Sequence, residues 1–179
     1  MRSTTLFKRL LISLAVLCSP VFGQTIDPTN QINWAVGPIP SFQTKYPKTF
    51  AVLTQADKDE HFVNSLLKNE NARPRPYVQH PTLVTPLFPV KDFSYPSGHA
   101  SGSELQARLL GVLFPAQADD LLKRARQIAD SRVVAGVHYA SDVEAGQDLG
   151  DLLFKELEAN SKFKQDLADA ANADGIPTK

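Results

Sequence analysis

Residues 94–114 read SYPSGHASGSELQARLLGVLF, a run of small residues and one histidine that leads into an apolar pattern. The apolar residues recur at spacings of three and four, the period of one face of an α-helix: Leu105, Leu109, Val112 and Leu113. The pattern predicts an amphipathic helix from Ser97 to Phe114, with its apolar face directed toward a core.

The start of this helix has the residues expected of an anion site. Pro96 and Ser97 are typical of a helix N-terminus, where free backbone N–H groups carry a partial positive charge. Gly98 lets a ligand approach the main chain closely, and His99 beside it could deliver a proton to a departing oxygen. A capped helix that carries a surface histidine is the alternative, and the triplet alone does not decide between them.

The rest of the chain predicts more helices. Helical patterns run from Thr54 to about Asn69, from Pro115 to Asp130 or beyond and from Ser141 to Ala159, and a last amphipathic stretch begins at Ser161. Five prolines between residues 74 and 89 predict a long irregular loop without helix, of the kind that often shapes a site. With no strand alternation and no internal repeat, the sequence predicts an all-α bundle with an irregular N-terminal arm.

The chain divides into four predicted segments. Residues 1–23 have a basic start, a short apolar run and small residues near the end, the pattern of a secretory signal peptide. A retained membrane anchor, or a lipoprotein cut before Cys18, is the alternative for this segment. Residues 24–53 predict an extended proline-rich arm, residues 54–170 a helical domain and residues 171–179 a frayed tail. The signal peptide predicts a periplasmic or secreted protein.

Charge and cysteine content exclude several classes of function. The 179 residues include 19 basic and 19 acidic ones, and removal of residues 1–23 takes away three basic ones, which leaves 16 against 19 and a net charge of −3. Such a chain, without a basic block, is a poor candidate for nucleic-acid binding. Cys18, the single cysteine, lies in the predicted signal peptide, which excludes thiolate catalysis and cysteine–zinc sites. No apolar stretch after residue 23 is long enough for a stable membrane span.

Two charged residues lie on the apolar stripes of predicted helices. Extending the stripe of Ile128 by one turn reaches Arg132, and running the stripe of Leu149 backwards reaches Asp142. Inward charges are costly unless they meet a partner, although both residues could lie at helix ends in contact with solvent. His138 lies four residues before Asp142. A carboxylate there could hold one ring nitrogen by a hydrogen bond and leave the other as a nucleophile.

A second cationic group lies earlier in the chain. Lys68 ends the first predicted helix, and Arg75 lies between Pro74 and Pro76, which restrain its backbone. Cations in a rigid frame suit an anion with several oxygens, and a guanidinium binds two of them at once. A solvated basic tail on a helix end is the alternative, and we assign Arg73 to it.

Together these groups form a signature. In order, the chain contains Lys68-x6-Arg75-Pro76, Pro96-Ser97-Gly98-His99 and Ser131-Arg132-x5-His138-x3-Asp142. This resembles the tripartite signature of the phosphatidic acid phosphatase type 2 superfamily, which is shared with the vanadium haloperoxidases. The runs SYPSGH, SRVVAGVHYASDV and NSKFKQDL look most like the bacterial class A non-specific acid phosphatases, which are secreted to the periplasm. The resemblance covers residues 68–167.

The resemblance implies a helical bundle of the acid phosphatase/vanadium haloperoxidase type and an exported acid phosphatase that hydrolyses phosphate monoesters. His138, oriented by Asp142, would attack phosphorus and form a phosphohistidine, while His99 would protonate the leaving group and then activate water. Five residues would bind the phosphoryl oxygens: Lys68, Arg75, Ser97, Gly98 and Arg132. No metal or cofactor is expected, because three cations would do the work of a metal ion.

The expected partner is a small phosphomonoester, with phosphate or vanadate as an inhibitor. Class A enzymes usually carry a longer helical section before the first motif, whereas 44 residues separate residue 23 from Lys68 here, and a homodimer could supply the missing cover. The alternatives are a non-catalytic phosphate-binding relative, a vanadium-dependent haloperoxidase on the same scaffold, a lipid or isoprenoid diphosphate phosphatase, and a metallohydrolase with His138 and Asp142 as ligands.

Overall fold

The computed structural model describes residues 39–177, and over this range the chain is helical and contains no β-strand. Its α-helices are α1 (Ile39–Lys45), α2 (Pro47–Asn71), α3 (Pro76–Gln79), α4 (Gly98–Leu113), α5 (Ala118–Val134), α6 (Ala140–Ala159) and α7 (Ser161–Ala173). A 3-10 turn, Pro115–Gln117, joins α4 to α5. The predicted all-α class is confirmed. No helix in residues 39–177 is long and apolar enough to cross a membrane.

Helix α4 is the central element of the bundle, because it packs against α2, α5 and α6. Its buried face is wider than the single stripe predicted, and Leu105, Leu109 and Leu110 are all enclosed. Val112, which the pattern placed on the apolar face, is half exposed. A helix covered on three sides leaves only a narrow strip to solvent, and Val112 lies on that strip.

Two glycines let α4 and α6 approach closely. A Cβ added at Gly146 would collide with the Ser97 carbonyl oxygen, and one added at Gly150 would collide with the Ser101 carbonyl oxygen. Small residues one helical turn apart therefore form the contact face of α6. This close contact places the start of α6 beside the start of α4, where the sequence predicts the site.

The chain before residue 54 is more helical than predicted. Residues 39–53 were predicted as part of an extended arm, but they form α1 and the first two turns of α2. Pro47 occupies the first helical position of α2, where its missing N–H costs nothing. Phe42 packs edge-on against Tyr46 and Phe114, with ring centroids 5.2 and 6.4 Å away. The predicted signal peptide and residues 24–38 of the arm lie outside the described residues.

Residues 171–176, which were predicted as part of a frayed tail, complete α7 and pack against the core. Gly175 adopts a left-handed conformation with φ of +76°, and the Ile176 N–H donates to the Ala171 carbonyl at 2.9 Å. This turn closes α7 and returns the chain to the core, where Ile176 is 2% exposed. Asp174 Oδ2 also accepts a hydrogen bond from the Thr49 N–H, at 2.7 Å, in the first turn of α2.

Candidate active site

The predicted site residues come from six places along the chain that meet at one end of the bundle. Lys68 lies in the last turn of α2 and Arg132 in the last turn of α5. The other positions are the residue before α3 (Arg75), the start of α4 (Ser97, Gly98, His99), the α5–α6 turn (His138) and the first turn of α6 (Asp142). Five of these site residues have charged or titratable side chains that are at most 8% exposed: Lys68, Arg75, Arg132, His138 and Asp142. Neither Arg132 nor Asp142 lies at a solvated helix end.

His138 lies between a cation and a carboxylate. Its Nε2 atom is 3.2 Å from Arg75 Nη1, and its Nδ1 atom is 3.5 Å from Asp142 Oδ2. A guanidinium can only donate, so the contact with Arg75 requires a lone pair on Nε2 and therefore places the ring proton on Nδ1. The predicted hydrogen bond between His138 and Asp142 does not have normal geometry. The 3.5 Å separation is long, and Nδ1 has no hydrogen-bond partner among the described residues. We treat this contact as an electrostatic one that burial strengthens.

The pKa of His138 is lowered, first by burial and then by the positive charges of Arg75 and Lys68, while Asp142 opposes the shift. This shift favours the neutral form of the ring over the protonated one. A neutral ring with its lone pair on Nε2 is the form that a nucleophile needs.

Asp142 is held by more donors than the sequence predicted. It accepts hydrogen bonds from Arg73 Nη1 at 2.7 Å, from the Tyr139 N–H at 2.9 Å and from Ser94 Oγ. Burial alone would raise the pKa of Asp142, but these donors and the neighbouring His138 lower it. The carboxylate stays ionised and fixed beside the imidazole.

All five N–H donors of Arg75 face acceptors within the protein. Nε donates to the Asp92 carbonyl at 2.8 Å, and Nη1 donates to the Val137 carbonyl at 2.7 Å and faces His138 Nε2. Nη2 donates to the Asp92 carboxylate and, at 3.3 Å, to the Phe93 carbonyl. An incoming phosphoryl group must therefore displace acceptors of the protein, and the half-exposed Asp92 side chain is the one at the surface.

The other two cations differ in how they are held. Lys68 Nζ donates to the Phe93 carbonyl at 2.5 Å and lies 3.4 Å from Asp92 Oδ2. Arg132 instead stacks on the Phe88 ring, 5.0 Å from its centroid, and its buried Nε atom has no hydrogen-bond partner among the described residues. Unlike Lys68 and Arg75, Arg132 therefore has an N–H donor that is not bonded to an acceptor of the described chain.

The start of α4 offers two backbone donors. The Ser97 N–H donates a hydrogen bond to the Asp142 carbonyl at 2.9 Å, and Ser97 Oγ accepts one from the Ala100 N–H at 3.4 Å. Gly98 and His99 are the first two helical residues, whose N–H groups have no acceptor within the helix. Ser97 thus caps the helix, while the amides of Gly98 and His99 can bind an anion.

His99 is partly buried at the edge of the cationic cluster. Its pKa is lowered to about 4, first by burial and then by the charges of Arg132, His138, Lys68 and Arg75. A phosphate dianion bound among these cations would offset their repulsion and raise this pKa again.

Comparison with known proteins decides the family. Residues 60–157 match the PAP2 superfamily, and this range contains all three groups of the signature. The chain belongs to the PAP2 superfamily. A solved PAP2 structure, the transmembrane phosphatidylglycerolphosphate phosphatase of Bacillus subtilis, is similar with a TM-score of 0.52 at 21% identity. The superposition covers 89% of this PAP2 chain and 86% of the other, and it supports the fold.

Several relatives that are similar in sequence are acid phosphatases. This PAP2 chain is 31% identical over 161 residues to a non-specific acid phosphatase of Salmonella typhi. The matched region covers 87% of this chain and 58% of that protein. It is 33% identical over 107 residues to an acid phosphatase of Zymomonas mobilis, and that match covers 56% of this chain and 39% of the Zymomonas protein. A decaprenylphosphoryl-5-phosphoribose phosphatase of Mycobacterium tuberculosis is 33% identical over 90 residues, half of this chain. The chain thus spans well under two thirds of the length of these relatives.

Sequence reasoning missed three residues of this PAP2 site. Arg73, assigned to a solvated basic tail, binds Asp142 and stacks on the Tyr139 ring at 4.0 Å. Asp92 and Ser94, which precede the second motif, contact the cations and Asp142 respectively. Nothing in the local pattern distinguishes these three, because each takes its role from a partner distant in sequence.

Proposed function

We propose that this PAP2 protein is an exported, metal-independent phosphatase that hydrolyses small phosphate monoesters through a phosphohistidine on His138. The observation that supports this most strongly is the position of His138, whose Nε2 lone pair faces Arg75 while its Nδ1 faces Asp142. The similarity to acid phosphatases supports the same reaction.

In the first proposed step, His138 Nε2 forms a bond to phosphorus, and the bond from phosphorus to the ester oxygen breaks. Protonated His99 gives its proton to that oxygen, so the alcohol leaves as a neutral molecule. The phosphorylated ring of His138 is then positively charged, and the Asp142 carboxylate beside it stabilises that charge.

In the second proposed step, water attacks the phosphorus of the phosphohistidine. His99, now neutral, takes a proton from the water, and the nitrogen–phosphorus bond breaks. Inorganic phosphate leaves, and the electron pair returns to His138 Nε2. The cycle consumes one water molecule and restores both histidines to their starting protonation states.

Three cations and the start of α4 would bind the phosphoryl oxygens in both steps. Lys68, Arg75 and Arg132 supply positive charge, Gly98 supplies a backbone N–H and Ser97 holds that turn. Because the cations are buried and already in place, they need little reorganisation as charge develops on the oxygens. This electrostatic set would replace a metal ion.

Export is the part of the proposal that rests on residues 1–23. The basic start and short apolar run of this segment support a cleaved signal peptide and a periplasmic or secreted enzyme. Expression of the full chain in a Gram-negative host, followed by N-terminal sequencing of the periplasmic fraction, tests this. A product that begins near Gln24 is expected, whereas an uncut chain in the membrane fraction would contradict export.

The reaction is tested with p-nitrophenyl phosphate and the purified chain. We expect turnover that is unaffected by EDTA and inhibited by orthovanadate. His138→Ala should lower kcat by more than about a thousandfold, because a nucleophile has no substitute. His80→Ala is the matched control, since His80 is exposed and lies outside the site, and it should retain wild-type turnover.

The intermediate is tested separately by rapid quenching with a ³²P-labelled substrate. Label that is stable in alkali, labile in acid and absent from His138→Ala indicates a phosphohistidine. Phosphate binding without turnover by the wild-type chain would contradict the proposal and favour a phosphate-binding relative. Turnover that EDTA abolishes would contradict the metal-independent mechanism.

A further inference from the structure

Helix α2 carries a row of buried polar side chains behind the phosphate site. Glu60, Asn64 and Lys68 follow one another at intervals of four residues, so they lie on the same face of the helix. All three are buried, and Glu60 is 1% exposed. Lys68 is a proposed phosphate ligand, but the mechanism above uses neither Glu60 nor Asn64. A carboxyl group buried this deeply needs a physical reason.

Glu60 contacts α4 through one hydroxyl group. Ser101 Oγ shares a short hydrogen bond with Glu60 Oε1 and lies 3.2 Å from both the Ser97 and the Gly98 carbonyl oxygens. These two carbonyls belong to the turn whose N–H groups face the phosphate site. Glu60 is therefore two hydrogen bonds away from the backbone that would bind phosphate.

Asn64 contacts the same turn and the same hydroxyl group. Its Nδ2 donates to Ser101 Oγ at 3.1 Å, and its Oδ1 lies so close to Gly98 that an added Cβ would approach it to 3.3 Å. The Ser101 hydroxyl is thus surrounded by Glu60, Asn64 and the two carbonyls. Any change in its hydrogen bonding is transmitted directly to Ser97 and Gly98.

The Ser101 hydroxyl has one proton and three possible acceptors. Ser101 Oγ donates to Glu60 Oε1 in the short hydrogen bond, and it accepts a hydrogen bond from Asn64 Nδ2. Burial raises the pKa of Glu60 to about 8, so its carboxyl group is protonated in neutral and acidic solution, and its Oε1 atom still accepts this bond as a carbonyl oxygen. A truncated Glu60 would leave the Ser101 proton to the Ser97 or Gly98 carbonyl.

We propose that Glu60 is a positioning residue for the phosphate-binding turn at Ser97–Gly98, and that it acts through the Ser101 hydroxyl. The proposal rests on the proposed function in one respect, that phosphate is the ligand of this turn. It assigns to the buried carboxyl a role in anion affinity that is separate from its contribution to stability.

The test measures the Kd for orthophosphate by calorimetry in four variants, each well below its own Tm. Glu60→Ala and Ser101→Ala should each weaken phosphate binding about tenfold, the scale on which residues behind a ligand act in other sites. The double variant should be no weaker than either single one, because both remove the same connection. Glu60→Gln should stay near wild type, since its amide oxygen can still accept the hydrogen bond from Ser101 Oγ.

The matched control is Asp57→Ala. Asp57 is a second buried carboxyl one turn earlier on α2, and its Oδ1 has no hydrogen-bond partner among the described residues. Its removal should change Tm, as removal of Glu60 should, but leave the phosphate Kd within about twofold of wild type. An equal loss of phosphate affinity in Asp57→Ala would mean that the effect of Glu60→Ala comes from a general loss of stability, and it would overturn the proposal.

A second measurement does not depend on phosphate. Amide hydrogen exchange at Gly98 and His99 should accelerate in Glu60→Ala and Ser101→Ala relative to the rest of α4, but not in Asp57→Ala. If the wild-type chain binds no phosphate, the proposed function fails, and these exchange rates still decide the role of Glu60. Unchanged exchange, or additive losses of affinity in the double variant, would refute the connection through Ser101.

Discussion

At the scale of single residues, the cations of the site are already paired with groups of the protein. The Asp92 carboxylate contacts both Lys68 and Arg75, whereas Arg132 faces an aromatic ring. A phosphoryl group must compete with Asp92 for the first two cations.

Asp92→Asn should tighten the binding of orthophosphate by about fivefold, which corresponds to about 1 kcal/mol for a partly exposed ion pair. The neutral amide keeps the shape of the side chain but competes less well for Lys68 and Arg75. Isothermal titration calorimetry measures the Kd. Asp120→Asn is the control, because it removes the same charge from the opposite end of α5. Weaker binding in Asp92→Asn would mean that Asp92 holds Arg75 in place and does not compete with phosphate.

The charge of His99 should depend on whether the site holds a dianion. Its pKa of about 4 keeps it neutral at pH 5, and a bound dianion raises that pKa by offsetting the nearby cations. Binding should therefore take up a proton at pH 5, and affinity should increase as the pH falls from about 6 toward 4. Sulfate is the suitable probe, because it remains a dianion across this range.

Calorimetry in buffers of different ionisation enthalpy counts the protons taken up with sulfate. The wild-type chain should take up nearly one proton at pH 5, and His99→Gln should take up clearly less. Equal uptake in both proteins would assign the proton to another group and leave His99 without the proposed role as general acid.

At the scale of helices, the site depends on how closely α4 and α6 approach. His138 and Asp142 flank the start of α6, and the phosphate-binding turn is the start of α4, so the crossing at Gly146 sets the distance between them. The glycines at this crossing are therefore as important to the geometry as the ligands. Nothing in the sequence identifies the partner that Gly146 meets.

Gly146→Ala should destabilise the fold by about 1–3 kcal/mol, the usual cost of overpacking. The added Cβ would meet the Ser97 carbonyl oxygen and lie 2.8 Å from the Ala100 Cβ, and backbone atoms cannot move aside easily. Urea denaturation measures the change. Gly111→Ala is the control, because its Cβ would lie 3.2 Å from the Ala118 Cβ and 3.6 Å from the Ala118 Cα, without a collision, and alanine favours a helix. Equal losses in the two variants would contradict this account.

At the scale of the whole molecule, the two ends of the described chain stabilise each other. The last turn of α7 and Ile176 pack into the same core as Phe42 and Phe50 from the start of the bundle. Asp174 supplies the acceptor that the first turn of α2 lacks, because Tyr46 at its N-cap makes no side-chain hydrogen bond. The C-terminal segment is therefore part of the fold that supports α2 and Lys68.

Ile176→Ala should lower the free energy of unfolding by about 2–4 kcal/mol, as expected for a fully buried aliphatic side chain. Val134→Ala, at a side chain that is 82% exposed, should change it by less than about 0.5 kcal/mol. Urea unfolding of both variants is the measurement. If Ile176→Ala were as stable as Val134→Ala, the segment would be frayed, as its sequence suggested.

The sequence by itself determined the all-α class, the position of α4 to α7 within a few residues and the family signature. Each of these depends on spacing along the chain, which helical periodicity and fixed motifs report directly. The costly inward charges of Arg132 and Asp142 were also visible, because a charge on an apolar stripe stands out within its own helix.

Only the tertiary structure decided which groups meet. Arg73 reaches Asp142 across 69 positions, Glu60 reaches Ser101 across 41 and Thr49 reaches Asp174 across 125. A local pattern carries no information about such partners, so Arg73 looked solvated, the tail looked frayed and residues 39–53 looked extended. Their burial comes from the packing of distant elements, and this packing brings the separate motifs together in one cationic cluster around His138.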